Sequence, residues 1–250
     1  MFSSNGNNSF RAYLAAGSEN MHEILASGSP FLTMMDNLDS FLTTHVCGSS
    51  ISPDDLVIHS MSINARFLLM TSFRVGMTGH SGGVFPILRT ALETACYALI
   101  MSRDSTLSDI WLKRNCSADD LKACKKAFQS PIKAAQKLVD EHDPKLGSWM
   151  YELYESSIDF GAHPNAKTVT LHTRMFDDEV GYTRFENVGL YAVGNYGYEV
   201  SLLACVEMGL VTAIVLSMTH ETVSPAAIQA LQALNDQKND LERQIAQSHA

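Results

Sequence analysis

Charge is scarce in this chain. Only 18% of its 250 residues are Asp, Glu, Lys or Arg, against 46% hydrophobic residues, where about a quarter charged is usual for a globular chain. A chain this apolar is not read as disordered, because it has ample surface to bury. Cationic residues are scarcer still. With 18 Lys and Arg against 27 Asp and Glu, the formal net charge is -9, which argues against an unaided non-specific nucleic-acid binder. The 5 cysteines, Cys47, Cys96, Cys116, Cys124 and Cys205, are odd in number and include no CxxC pair or Cys/His cluster of zinc-finger spacing. Cys96 and Cys205 lie inside apolar runs, where a free thiol behaves as a small hydrophobe. The amino terminus has no basic stretch leading into an apolar one, so it does not read as a signal peptide. Together these features predict a reducing, cytoplasmic setting. No phosphate loop, nucleophile elbow, kinase set or dinucleotide fingerprint is present.

What the chain has is long apolar helices. The Ser/Asn/Gly-rich residues 1–9 read as a mobile segment. Helices are then predicted over 10–26, from Pro30, from a Ser52 cap with Pro53 at the first position to about Met77, and over 84–101 after glycines 76, 79, 82 and 83. Shorter helices follow from Ser105 or Thr106, after Ser117, from Pro131 and over 146–160. The last of these is ended by Gly161 and Pro164. Around 168–185 the pattern turns β-branched and alternating, which predicts a small hairpin. A strongly apolar helix over 195–220 and a last helix from Pro225 complete the chain. The expected fold is all-α, a multi-helix bundle with a small β-hairpin inserted before the penultimate long helix. It is divided into 1–9 (mobile), 10–223 (one bundle domain) and 224–250 (a C-terminal helix whose heptad spacing, interrupted by Lys238, reads as a helix lying along the bundle, with a dimerising coiled coil as the alternative). The run 200–218 is nearly long enough to span a bilayer, but Glu207 at its centre would be costly in lipid, so the reading is a buried bundle helix and no membrane partner.

Because the central helices are so apolar, their few charges are informative. Arg89 and Glu93 are four apart and share a helix face. Buried charges need partners, so a network joining Arg89, Glu93 and Glu207 is expected, either fixing helix register or lining a polar pocket. In YELYESSIDFGAHPN, Glu155, Asp159 and His163 recur every four residues. A histidine just past a helix end faces the negative end of the dipole and either caps terminal carbonyls or acts as a general acid. Arg74 and His80 flank a glycine-rich turn. Glu19-Asn20-Met21-His22 is a single ExxH where a di-iron bundle needs two, so no metal or other cofactor is expected. Lys122, Lys125, Lys126, Lys133 and Lys137 read as a solvated helix face.

Two segments carry a resemblance. Leu88-Arg89-Thr90-x-x-Glu93 resembles the "LLRSxxE" helix of a group of uncharacterised bacterial helical proteins. Tyr154-x-x-Ser157 followed by His163-Pro164 resembles that group's "Y-x-x-S…H-P" helix end. The group looks like a divergent branch of the HEPN superfamily, and the resemblance covers about residues 55–220. It implies a dimeric helical bundle acting on or binding RNA or a nucleotide, in stress or phage defence, as a metal-independent RNase if it is an enzyme. It implies a catalytic set of Arg89, Glu93 and His163, with Tyr154, Ser157, Asp159 and Glu207 as ligand-binding residues. The family's Arg, four to six residues, then His motif is not met before His163. Arg74 and His80 have that spacing but lie early in the chain. The other reading is a non-enzymatic dimeric helical module that binds a protein partner or small ligand.

Overall fold

The computed structural model describes residues 9–48, 56–162, 173–177 and 183–249. The structure is all-α, a multi-helix bundle. Its helices are α1 (Phe10–Ala26), α2 (Pro30–Phe41), α3 (Leu56–Met77), α4 (Ser81–Arg103), α5 (Ser105–Leu112), α6 (Ala118–Ala127), α7 (Pro131–Asp140), α8 (Pro144–Ser157), α9 (Tyr196–Ser217) and α10 (Pro225–Ser248). Between α8 and α9, β1 (Thr173–Asp177) and β2 (Thr183–Asn187) pair antiparallel, with Met175 opposite Phe185. The described hairpin strands fall where the alternation pointed; residues 168–172 of the expected first strand lie outside the described residues. The expected mobile segment lies outside the described residues, except for Ser9, and so do Ser52 and Pro53.

Most helix starts are set by local chemistry. Ser9, Ser29, Ser117, Asn195 and Ser224 each accept a hydrogen bond from a backbone N–H of the first turn, satisfying groups that have no partner within the helix. Asp143 does the same for α8, with Pro144 at the first position. That start is two residues earlier than the apolar pattern suggested. The preceding helix ends at Met77 as expected, but Gly82 and Gly83 already lie in the first turn of α4, which starts three residues earlier than expected. Burial of a long apolar helix outweighs a cost of about 1 kcal/mol per glycine.

At the centre lie α4 and α9, which pack on each other and on α3. From α4, Leu88, Leu92, Ala95 and Leu99 are fully buried; from α9, Leu202, Val206, Leu210 and Val211 are. Both helices are long and apolar enough to cross a membrane by length and composition. Here they form the interior of the bundle. The C-terminal helix lies along α9 and α2, and its Leu234, Leu241 and Ile245 are buried within the chain, so the apolar seam of 224–250 is covered by the chain itself.

The turn joining α3 to α4 is tightly constrained. Gly79 has φ +88°, and a Cβ there would lie 2.2 Å from the Tyr191 carbonyl oxygen, so only glycine fits. The Tyr191 N–H donates to the Gly79 carbonyl at 2.9 Å. The buried Asn20 of α1 donates its side-chain amide to the carbonyls of Thr78 (3.1 Å) and Tyr191 (2.7 Å). One side chain thus ties α1, the α3–α4 turn and the segment entering α9.

Candidate functional site

Arg89 and Glu93 meet as their spacing requires. The Arg89 Nε donates to Glu93 Oε1 at 2.9 Å, with both side chains about three-quarters shielded from solvent. From α8, the Tyr154 hydroxyl donates to the same Oε1 at 3.3 Å, and the Arg89 guanidinium lies 5.4 Å from the centre of the Tyr154 ring. Burial opposes the charge on Arg89, but Glu93 and Tyr154 outweigh it and hold the guanidinium more firmly protonated. Burial, then the Glu93 carboxylate, raises the pKa of the Tyr154 phenol, so it stays a neutral donor.

Glu207 does not join this cluster, which corrects the expected three-residue network. Its charged neighbours are Lys238 and Glu242 of α10. Lys238 is buried at 8% exposure; its Nζ lies 3.4 Å from Glu242 Oε2 and 5.8 Å from the centre of the Trp149 ring. Burial raises the pKa of Glu207, Lys238 pulls it down and Glu242 pushes it up, with a net upward shift. The sequence reading paired Glu207 with the wrong cation because the right one is 31 positions away on another helix. Helical periodicity does not show such a contact.

Ser157 is buried, and its hydroxyl donates to the Tyr154 carbonyl one turn back at 2.6 Å. Asp159 lies in a wider, π-helical turn (Ile158–Ala162) that extends α8. Gly161 closes against α4 there: a Cβ would sit 2.8 Å from the Gly82 carbonyl oxygen and 3.0 Å from the Phe85 Cβ. Pro86, one turn on, has no N–H to offer that carbonyl, and its Cδ would lie 3.4 Å from a Cβ on Gly161. His163 and Pro164 lie outside the described residues. Arg74 is exposed, and the side-chain contacts of His80 are to Thr78 and Tyr13, not Arg74. Lys122, Lys125, Lys126, Lys133 and Lys137 are exposed on α6 and α7. Among the described residues, no three His, Cys, Asp or Glu side chains are grouped to hold a metal ion.

Glu93 also lines a cleft of about 440 Å³ between α3, α4 and α5. Val57 and Met61 form one wall, Tyr97 the floor, and Trp111 and Leu112 the other wall. Tyr97 is held flat by stacking on Phe128, with ring centres 4.4 Å apart. Leu56 and Leu112 at the mouth are 60% and 58% exposed. The hydroxyls of Ser60, Thr90 and Thr94 line the cleft too, but each donates to a carbonyl of its own helix. Glu93 is the one charged side chain in the described lining. Both of its donors converge on Oε1; among the described residues none reaches Oε2. The sequence reading placed Arg89 and Glu93 on one face but passed over Tyr97, one turn beyond Glu93 on the same helix, and Trp111, which another helix supplies and periodicity does not show.

Comparison with family models, with curated proteins and with solved structures finds no match to this chain.

Proposed function

We propose that this protein is a ligand-binding helical module whose α3–α4–α5 cleft takes a small, largely apolar molecule carrying one hydrogen-bond donor. The observation that carries the reading is the polarity of the cleft. Its walls are apolar and aromatic, its Ser and Thr hydroxyls are committed to their own helices, and beside the amide of the exposed Asn64 and the Tyr97 hydroxyl the one charged acceptor is Glu93, with one carboxylate oxygen left to accept. Binding pockets commonly combine an apolar lining with a few fixed polar groups. Arg89 and Tyr154 hold Glu93 from behind, so little side-chain entropy remains to be lost when a ligand arrives.

The test uses the chain's two tryptophans. In a Trp149→Phe background, Trp111 alone reports from the cleft, and benzyl alcohol and benzylamine are the probes. Saturable quenching by either probe is expected, and Glu93→Ala should weaken it on the order of tenfold, the worth of a hydrogen bond to a charged group. Quenching that does not saturate, or that Glu93→Ala leaves unchanged, would overturn the reading.

One observation favours the other reading, an RNA- or nucleotide-directed activity in bacterial defence with Arg89, Glu93 and His163 in the site. Gly161 abuts α4 one turn before Arg89, so the chain leaves α8 beside that arginine. This reading expects the full-length protein to cleave single-stranded RNA without added metal. It expects Arg89→Ala and His163→Ala to abolish cleavage while leaving the melting temperature nearly unchanged. Absence of cleavage by the wild-type chain counts against it.

A further inference from the structure

A second cleft, of about 430 Å³, opens at the N-terminal end of α4, about 20 Å along the helix axis from Glu93 at 1.5 Å per residue. Tyr13, Val188 and Tyr191 form its walls with His80, and none of the described lining side chains carries a formal charge at neutral pH apart from what His80 itself could bear. The tautomer of His80 follows from its neighbours. The Thr78 hydroxyl donates to the Val75 carbonyl at 2.7 Å, and a carbonyl only accepts. That hydroxyl has no second proton, so its 2.7 Å contact with His80 Nδ1 is an Nδ1–H donating to Thr78 Oγ1. The lone pair of the neutral ring is then on Nε2. Burial lowers the pKa of His80, and the positive end of the α4 dipole works in the same direction.

The ring is also fixed in place. Tyr13 packs edge-on against it, with centres 4.9 Å apart at 80°. A Cβ on Gly17 would lie 3.3 Å from His80 Cε1, so α1 closes directly over the imidazole. Among the described residues, no donor reaches Nε2. The other hydrogen-bonding groups are partly spent: Ser81 donates to the Gly197 carbonyl at 3.1 Å, and the Asn187 side-chain oxygen accepts from Thr173 at 2.8 Å.

We propose that this second cleft is a binding site for a small neutral molecule bearing an O–H or N–H donor, which His80 Nε2 accepts. The site is independent of Glu93. Its occupant is uncharged because the walls offer no counter-charge, and it is a donor because the oriented ring nitrogen is an acceptor.

Phenol is a suitable probe, and anisole, which has the same ring without the donor, is its control. Long-range ¹H–¹⁵N spectra of ¹⁵N-histidine-labelled full-length protein, with His80 assigned by comparison with His80→Gln, read the tautomer directly. The expected result is an Nδ1-protonated His80 whose Nε2 resonance moves saturably with phenol. Anisole should bind several-fold more weakly, a neutral hydrogen bond being worth about fivefold. Thr78→Val, which removes the acceptor for Nδ1–H and does not touch the imidazole chemically, should mix the two tautomers and weaken phenol several-fold. An Nε2-protonated ring in the free wild-type protein overturns the proposal. So does equal binding of phenol and anisole, or an Nε2 resonance that phenol does not move.

Discussion

Asn20 is the side chain whose replacement should be most revealing about the fold. It is 6% exposed, and its two amide hydrogens are both used, on the carbonyls of Thr78 and Tyr191. Asn20→Ala leaves two shielded carbonyls without donors, at about 1–3 kcal/mol each. Because the Thr78 side is only part-buried, water recovers some of that, and the expected loss is about 2–4 kcal/mol. For a chain of this size that lowers the melting temperature by roughly 5–15 °C. Asn20→Asp keeps the shape and sharpens the test, since an ionised carboxylate has no hydrogen to donate and would face two carbonyl oxygens. Its pKa in the folded variant must therefore rise above the unfolded value of about 3.9. A group with a raised folded pKa contributes its full stability below the unfolded value and loses it as pH rises through the folded one. The Asp variant's deficit relative to wild type should thus be largest at pH 7 and shrink toward pH 4, where the protonated acid again donates one hydrogen bond. Urea melts of the three proteins at pH 4, 5.5 and 7 measure it. A loss under 0.5 kcal/mol for Asn20→Ala (well below the penalty for two orphaned carbonyls), or a pH-independent deficit for Asn20→Asp, would refute the role assigned to this side chain.

Two further outcomes are expected. Thr212 in the middle of α9 is fully buried with an unpartnered hydroxyl, so Thr212→Val should raise stability by about 1 kcal/mol in a urea melt. Glu207 has a raised pKa, caused first by burial, so its stability contribution is complete below about pH 4.3, its unfolded value, and falls as pH rises through the folded value. Glu207→Gln should accordingly match or exceed wild type in thermal stability at pH 7 and lose that advantage near pH 4; a destabilised Gln variant at pH 7 would show that the carboxylate is needed in its charged form.

Much of the fold was legible because helix starts are written locally. Ser29-Pro30, Ser117 and Ser224-Pro225 are caps that a reader can find in three residues, and the structure begins α2, α6 and α10 there. Endings were harder. Gly161 and Pro164 read as a stop; α8 widens into a π-helical turn from Ile158, the backbone leaves helical geometry at Gly161, with φ 176°, and Pro164 lies outside the described residues. The candidate site was half legible. Arg89 and Glu93 are local partners at helical spacing, whereas Tyr154, Tyr97 and Trp111 reach Glu93 or its cleft from 61, 4 and 18 positions away. Only the packing of α5 and α8 against α4 brings the more distant two there.

The two central helices show why composition alone does not locate a site. Each carries a carboxylate in an apolar stretch, Glu93 in α4 and Glu207 in α9, and sequence reasoning treated the two as one problem. They are solved differently. Glu93 finds its cation one turn away on its own helix, which leaves one oxygen for the cleft. Glu207 has no basic residue within a turn and faces Lys238 of the last helix. Desolvating a lysine is expensive unless its charge is answered, and here Glu242 at 3.4 Å and the face of Trp149 answer it. Lys238 interrupts the heptad pattern of α10, and within the chain the position is buried at 8% exposure on a helix packed against α9. The residue that interrupts the coiled-coil pattern thus lies against Trp149 of α8, beside the buried Leu234, Leu241 and Ile245 that seat the C-terminal helix on the bundle, while Glu93, with its cation supplied locally, is the carboxylate that lines the cleft.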